Sequence, residues 1–455
     1  MKFFQSIFIL ICLLSVSSCK KQLDLNPVTA LSPETVGPAD IGKIVTGIYD
    51  GLQNGNTTFS YLGLVTEDLS ADNLRYRATF FQHGEIDNNA ILANNVLNQR
   101  YFVGPYATIQ RCNDVIELAQ SPSIPEDTRK VSLGTAYFAR AYSYYRLVTL
   151  YGGVPIVLTR TLEAVPRNSE AEVYQQIISD LLLAIENAPP LTSIANNAFV
   201  SQEAAKALLA RVYLIRKDYP NAKKYAEEVI ATNKFAVTTD LDAALNSPVG
   251  NMEHIFVLQV TVTEGENGLS FFLQHPTMPG SGRAELPVDN SLISAFESGD
   301  VRKAATVQEI VAPTSNPGWY VRKYRDPGGT FAHPMFIARI AEMYLIAAEA
   351  QFFISNGNNT DPLMLARLNE VRTKRGLSAL TTATLYDIIK ERRIELAFEN
   401  FRWTDMKRTP DQANPSKSMA QVYLEGKGRR PEDILYPIPQ QEIDVNPNLV
   451  QNPGY

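Results

Sequence analysis

Glu391, Glu395 and Glu399 recur at four-residue intervals near the end of the chain, a spacing that places carboxylates along one face of a helix. A pair of carboxylates about 5 to 9.5 Å apart is what glycoside hydrolysis needs. These three, however, interleave with Arg392 and Arg393 and share their segment with Ile394, Leu396 and Phe398. The pattern therefore predicts a helix held by ion pairs to its neighbours, with nearby Trp403 in the core. The chain carries no Gly-x-Ser-x-Gly elbow, phosphate loop, His-Glu-x-x-His or Gly-x-Gly-x-x-Gly signature. Its four histidines, His83, His254, His275 and His333, lie far apart without ligand spacing, which argues against a histidine-based metal site. Neither catalysis nor a cofactor is expected.

Binding chemistry is better represented. Only two of the 455 residues are Trp, against 21 Tyr and 20 Phe, and Trp319 stands beside Tyr320 in the segment Asn316-Pro317-Gly318-Trp319-Tyr320-Val321-Arg322. Flat aromatics give contact area at low entropic cost, and a sugar presents apolar C–H faces ringed by hydroxyls. Trp319 and Tyr320 would form the platform, with Arg322, or Arg283 of the Gly280-Ser281-Gly282-Arg283 loop, as donors. The competing reading makes Trp319 a loop anchor. A second candidate wall is Asp72, Asn73, Tyr76 and Arg77, whose alternative is a solvated connector with Asp72 capping a helix. Of the consecutive aromatics Phe271 and Phe272, at least one is expected in the core.

Cys19 offers chemistry of another kind. Lys2, the apolar run Phe3 to Leu14 and Ser15-Val16-Ser17-Ser18 lead up to it, the order of a secretory signal. The run is shorter than the roughly 20 residues a membrane span needs. A cysteine directly after the small residues is what a lipoprotein signal peptidase recognises, so residues 1–18 read as the leader. Cys19 then becomes the acylated first residue of a tether over 19–27. Each buried CH₂ of an acyl chain adds roughly 0.8 kcal/mol of membrane attachment.

Composition limits the rest. Apolar residues make up 45% and charged residues 20% of the chain, which suits a globular protein with a large core. A net charge of −6, with no stripe of Lys and Arg, argues against nucleic acid. With Cys12 in the leader and Cys19 acylated, Cys112 alone remains; beside Ile109 and Ile116 it reads as a small buried residue.

The elements that must position these residues are mostly helices. Ile41, Ile44, Val45, Ile48 and Leu52 fall at helical spacing. Residues 126–150 carry a long helical pattern that stops at Tyr151-Gly152-Gly153-Val154-Pro155. Ser169 with Glu172 forms a capping box, and Ser201 opens the next helix. Paired helices rich in Ala, Leu and Tyr suggest degenerate tetratricopeptide-like units of about 34 residues. Residues 28–455 read as one domain with an N-terminal helical part (28–234), a loop-rich part (235–334) and C-terminal helices with a tail (335–455). In the loop-rich part periodicity fades, one strand is expected over Ile255 to Val262, and so long an irregular stretch points to function. Helices are predicted over Met335 to Phe353, Met364 to Arg375 and Leu385 to Phe398. The proline-punctuated end should pack down, since free tails seldom carry so many apolar residues.

Taken in order, several segments resemble the SusD/RagB family of outer-membrane nutrient-binding lipoproteins. They are Leu23-Asp24-Leu25-Asn26-Pro27, Ala139-Arg140-Ala141-Tyr142 with Tyr151-Gly152-Gly153-Val154-Pro155, the run Ala204 to Leu214, and Glu342 to Ala350. Glu391 to Glu399 with Arg402-Trp403, and Leu435-Tyr436-Pro437-Ile438-Pro439 through Gln451-Asn452-Pro453-Gly454-Tyr455, complete the match. Asn400 departs from the family's usual Gly, which affects a local turn. The resemblance implies a mostly α fold, a tetratricopeptide-like scaffold with variable loops. It also implies a non-enzymatic cell-surface protein that captures oligosaccharides, or in some members peptides. The implied partner is a SusC-like TonB-dependent β-barrel transporter, and a scaffold role without nutrient contact is the remaining alternative.

Overall fold

The computed structural model describes residues 35–53, 59–77, 79–263, 268–326, 329–330 and 332–455. The leader, the tether and Cys19 lie outside the described residues. The first part of the chain is α1 (Pro38–Gln53), α2 (Phe59–Ser70), α3 (Phe81–Asp87), α4 (Val96–Leu118), α5 (Glu126–Tyr151), α6 (Glu170–Asn187), α7 (Gln202–Ile215) and α8 (Tyr219–Ile230). Local chemistry sets several of the ends. Ser169 and Glu172 form the expected capping box at the start of α6, and the Ser201 side chain accepts from Ala204 N–H at the start of α7. Gly152, at φ 70°, stops α5, a left-handed conformation that glycine adopts without a Cβ penalty.

The loop-rich part contains α9 (Leu241–Asn246), β1 (His254–Leu258), α10 (Leu269–Leu273), α11 (Asn290–Ala295), α12 (Val301–Thr306), β2 (Val307–Ile310), β3 (Gly318–Val321) and β4 (Met335–Arg339). β1 is shorter than the strand expected from the sequence. It pairs antiparallel with β4, and both are buried at every position, which accounts for the apolar runs Ile255 to Leu258 and Met335 to Ala338. β2 and β3 form a separate hairpin with Glu309 opposite Trp319 and Gln308 opposite Tyr320.

The chain ends with α13 (Ile340–Ile354), α14 (Pro362–Lys374), α15 (Leu385–Glu395), α16 (Arg402–Arg408), α17 (Met419–Gly426) and α18 (Gln440–Val445). Successive helices pack on one another from α4 to α8, and α8 then packs directly on α13, which packs on α14. The helical stack is thus continuous across the loop-rich part, which leaves it after α8 and returns at β4. This is a mostly helical protein with tetratricopeptide-like stacking. Its tail is tied down: Tyr436 and Ile438 are buried, and Asn452 Nδ2 donates to the carbonyls of Tyr151 and Tyr436.

α15 ends at Glu395, three residues before the predicted Phe398, because the chain turns through left-handed conformations at Phe398 (φ 67°) and Asn400 (φ 69°). Asn tolerates this region better than most residues with a Cβ, which explains how the turn forms here without Gly. Its side chain also contributes, since Asn400 Oδ1 accepts from Glu67 N–H at 3.1 Å. Asp68 completes the turn by accepting from the N–H groups of Phe398 and Asn400.

Candidate functional site

The two candidate walls, some 240 residues apart in sequence, meet through a short ladder. Leu74 bridges Val288, Arg75 N–H donates to Pro287 O at 2.9 Å and Arg77 N–H to Glu285 O at 3.0 Å. On the other side, Val288 N–H donates to Trp319 O at 2.8 Å. Segment 285–289 therefore joins 73–77 to β3. Phe271 and Gln274 carbonyls accept from Arg283 and Ala284 N–H, and Phe272 O from Leu286 N–H. Loop residues are thus held as firmly as strand residues, the rigidity a binding site needs.

One exposed patch emerges from this ladder. Arg77 reaches across to donate from Nη1 to Tyr320 Oη at 2.6 Å and from Nη2 to Pro317 O at 3.2 Å. Arg283 donates to Thr79 Oγ1 at 2.5 Å and lies 5.4 Å from the centre of the Phe271 ring. Tyr76, half-buried, lies against Gly84, where a Cβ would stand 2.9 Å from the ring carbons Cδ1 and Cε1. Partial desolvation, then the nearby Glu285 carboxylate, raises its phenol pKa. Phe81, two residues beyond Thr79, is 62% exposed. The 311–317 loop forms the far rim, held by Tyr320 Oη donating to Asn316 O at 2.8 Å and by His275 Nε2, 2.6 Å from Ser315 O. Beneath the patch, buried His83 Nδ1 lies 3.2 Å from Glu285 Oε1, which also accepts from Phe80 N–H. Phe80 and Phe272 pack edge-on against the His83 ring.

Of the residues singled out from the sequence, Tyr76, Arg77 and Arg283 lie on or beside the ladder, with Tyr76 turned to Gly84, Arg77 to Tyr320 and Pro317, and Arg283 to Thr79 and Phe271. Adjacent strand residues point to opposite faces, so Trp319 and Tyr320 share no platform. Tyr320 is fully buried with Met278, Ala284 and Ile310, and its hydroxyl serves the rim loop and Arg77. Trp319 is half-buried on the other face, opposite Glu309, with Lys303 Nζ 4.7 Å from its ring centre. Arg322 turns towards Asp242 Oδ1 at 2.8 Å and Ala304 O at 2.7 Å. A hydrogen bond from Arg325, followed by the charges of Arg325 and Arg322, holds Asp242 down to about 2.

Asp72 and Asn73 are structural, and Asp72 caps no helix. Arg402 grips the Asp72 carboxylate at 2.6 and 2.8 Å, with Arg393 at 3.3 Å. Burial works against ionisation, yet the two guanidiniums hold Asp72 down to about 2. Asn73, fully buried, donates to Asp68 Oδ1 at 2.6 Å and accepts from Arg393 Nε at 2.8 Å. Sequence reasoning missed Thr79 and the carbonyl rim at 315–317. Neither carries a motif, and both are defined by partners remote in sequence.

The glutamate series is an ion-pair hub. Glu391 meets Arg302 and Arg372, Glu395 meets Arg302, Arg339 and Arg375, and Glu399 meets Lys323 and Arg339. All three carboxylates are buried, and arginine forks occupy the positions a substrate would need. Trp403 is buried as predicted, its Nε1–H donating to Ile434 O at 3.2 Å. Cys112 is a buried free thiol whose pKa burial pushes up. Among the described residues no cluster of three His, Cys, Asp or Glu side chains could hold a metal, and no helix is long and apolar enough to cross a membrane. A groove of about 580 Å³ lies away from the patch, between α1, the start of α5 and Pro189–Val200. Its walls combine Val45, Val131 and Phe199 with polar residues such as Tyr49, Asp50 and Thr135, and it shares no lining residue with the patch.

Comparison with known proteins agrees with this architecture. Residues 281–455 match the model of the SusD family, and residues 21–214 match one described as starch-binding and associating with the outer membrane. The SusD-like protein P2 of Formosa agariphila is 28% identical, with 100% of each chain covered. A laminarin-binding SusD-like protein superimposes with a TM-score of 0.81 at 22% identity, covering 92% of this chain and 100% of its own. Surface glycan-binding protein A of Bacteroides uniformis gives 0.78 at 23% identity, covering 90% and 98%. The helical stack with its inserted loop-rich part and these matches over residues 21–214 and 281–455 place the protein in the SusD/RagB family.

Proposed function

We propose that this protein captures oligosaccharides at the bacterial cell surface and passes them to a SusC-like TonB-dependent transporter in the outer membrane. In this reading Cys19 carries the lipid that holds it there, and the protein binds without catalysing. The observation that carries the proposal is the exposed patch of Tyr76, Arg77, Thr79, Phe81, Phe271 and Arg283. There, aromatic surface and fixed hydrogen-bond donors sit side by side on backbone segments locked by the ladder. An open surface of this kind suits capture followed by release, because affinity comes from a few stacked and hydrogen-bonded units rather than from enclosure. Trp319, with Lys303 over its ring, extends the aromatic surface on the opposite face of the hairpin. Arg322, Asp72, Asn73 and Tyr320 act as supports. The glycan-binding relatives named above favour carbohydrate over peptide.

The test uses the soluble chain from Lys20 onward, presented with plant, microbial and host glycans and with mixed peptides. The expected result is a glycan bound by the native chain and lost in Tyr76→Ala, with Trp319→Ala affected less. Binding of peptides alone would refute the carbohydrate reading. Glycan binding untouched by Tyr76→Ala, Arg77→Ala and Arg283→Gln would place the site elsewhere.

A further inference from the structure

We infer that the ligand of this patch is an acidic glycan, one bearing uronate carboxylates or sulfate esters, received by Arg77 and Arg283. The inference rests on the glycan-capture reading and adds the chemical class. Its basis is how the protein disposes of its charges. Arginines beneath and around the patch are matched to carboxylates: Arg75 to Asp87 and Asp289, Arg322 and Arg325 to Asp242, and Arg393 and Arg402 to Asp72. Arg77 departs from that habit. It is exposed, and its two hydrogen bonds go to a phenol oxygen and a carbonyl. Arg283, whose side chain is 41% exposed, bonds Thr79 and lies against Phe271. Among the described residues its carboxylate neighbour is Glu285, which is fully buried, stands 3.7 Å away and is shared with His83.

Both guanidiniums are thus oriented by neutral partners while retaining charge and N–H groups for a ligand. Their backbones are tied to one another, since Arg77 N–H donates to Glu285 O, two residues from Arg283, and Arg283 bonds Thr79, two residues beyond Arg77. Oriented guanidiniums match the planar carboxylate and the sulfate oxygens in two-pronged contacts, stronger than bonds between neutral groups.

The acceptor side of the patch is equally informative. A neutral sugar hydroxyl both donates and accepts, so neutral-sugar sites profit from exposed carboxylates as well as donors. Among the described residues, the carboxylates beside the ladder are spent. Asp72 is held by Arg402, Asp87 and Asp289 by Arg75, and Glu285 is buried. Glu309 is exposed, but on the Trp319 face of the hairpin. The patch offers donors and aromatic faces, a combination that favours anions on a sugar ring.

The experiment is calorimetric titration of the soluble chain with oligogalacturonates and sulfated galactan oligosaccharides. Neutral β-glucan oligosaccharides of equal length serve as the reference, at low and high salt. The account expects acidic ligands to bind at least about tenfold tighter than neutral ones, the advantage shrinking with salt. Arg77→Gln and Arg283→Gln should each remove about tenfold from acidic binding and weaken neutral binding by a smaller factor, so that the acidic-over-neutral preference falls. Because Arg77 also steadies the rim loop, Arg283→Gln and Arg77→Lys are run beside it, with thermal unfolding of each variant. Arg77→Lys should lose affinity for acidic ligands despite its retained charge, since the fork is gone. Neutral ligands bound as tightly as acidic ones, without salt dependence, would overturn the acidic class and leave glycan capture standing. An absence of binding to every glycan would overturn both.

Discussion

Replacing Glu395 by Gln should destabilise the protein by about 3 to 5 kcal/mol, the cost of stripping one charge from a buried, matched cluster. The hub joins the cations Arg302, Arg339, Arg372, Arg375 and Lys323 to the buried carboxylates Glu253, Asp300, Glu391, Glu395 and Glu399, with Glu297 also on Arg372 at its edge. Glu395 is 1% exposed and accepts from Arg339 Nη1 at 2.9 Å, from Arg375 Nε and Nη2 at 3.0 and 2.8 Å, and from Arg302 Nη1 at 3.3 Å. Gln keeps the volume but leaves an unmatched positive charge and turns an amide donor towards guanidiniums. Domain stabilities are only about 5 to 15 kcal/mol, so the effect is large. Urea unfolding at neutral pH, followed by circular dichroism, measures it. Burial alone would raise the Glu395 pKa, but the Arg375 and Arg339 charges outweigh it and hold the carboxyl well below the usual carboxylate range. Its contribution is therefore fully present above the unfolded value of about 4.3 and is lost as pH falls through the folded value. The gap between native and Glu395→Gln proteins should narrow in acid. A loss under about 1 kcal/mol at neutral pH, the size of an exposed ion pair, would refute the hub as a structural centre.

Three further outcomes are expected. Gly84→Ala should weaken glycan binding with little change in global stability, because the new Cβ would collide with the Tyr76 ring; titration beside thermal unfolding separates the two effects. At Asn400, Ala should destabilise by about 1 to 3 kcal/mol through the left-handed backbone and the lost acceptor for Glu67 N–H. Gly there should cost less than Ala, since it pays only for the lost acceptor, and urea midpoints rank the two. Cys19→Ser should move the protein out of the membrane fraction while leaving glycan binding by the purified chain unchanged, as fractionation and titration would report.

Much of the scaffold was legible because its signals are local. Helical periodicity, the Ser169 capping box and the glycine stop at 152 are decided within a few residues, and the interleaved Glu and Arg around Glu395 indicated pairing over catalysis. The site was less legible because its geometry is long-range. Nothing near Asp72 in sequence announces Arg402, 330 residues away, so a buried ion pair looked like a free polar side chain. Trp319 and Tyr320 looked like one platform because pairing with β2, which sends them to opposite faces, depends on the register of the hairpin. Arg283 was read as a donor and Arg77 as part of a second wall, but the joining of their segments depends on the ladder through 285–289.

The most direct test of the central claim is a crystal structure of the soluble chain with the tightest-binding oligosaccharide from the titrations. The account predicts a sugar ring against Tyr76 or Phe81, with its polar groups within hydrogen-bonding distance of Arg77 and Arg283. A sugar seated in the groove between α1 and Pro189–Val200, with the patch empty, would contradict it.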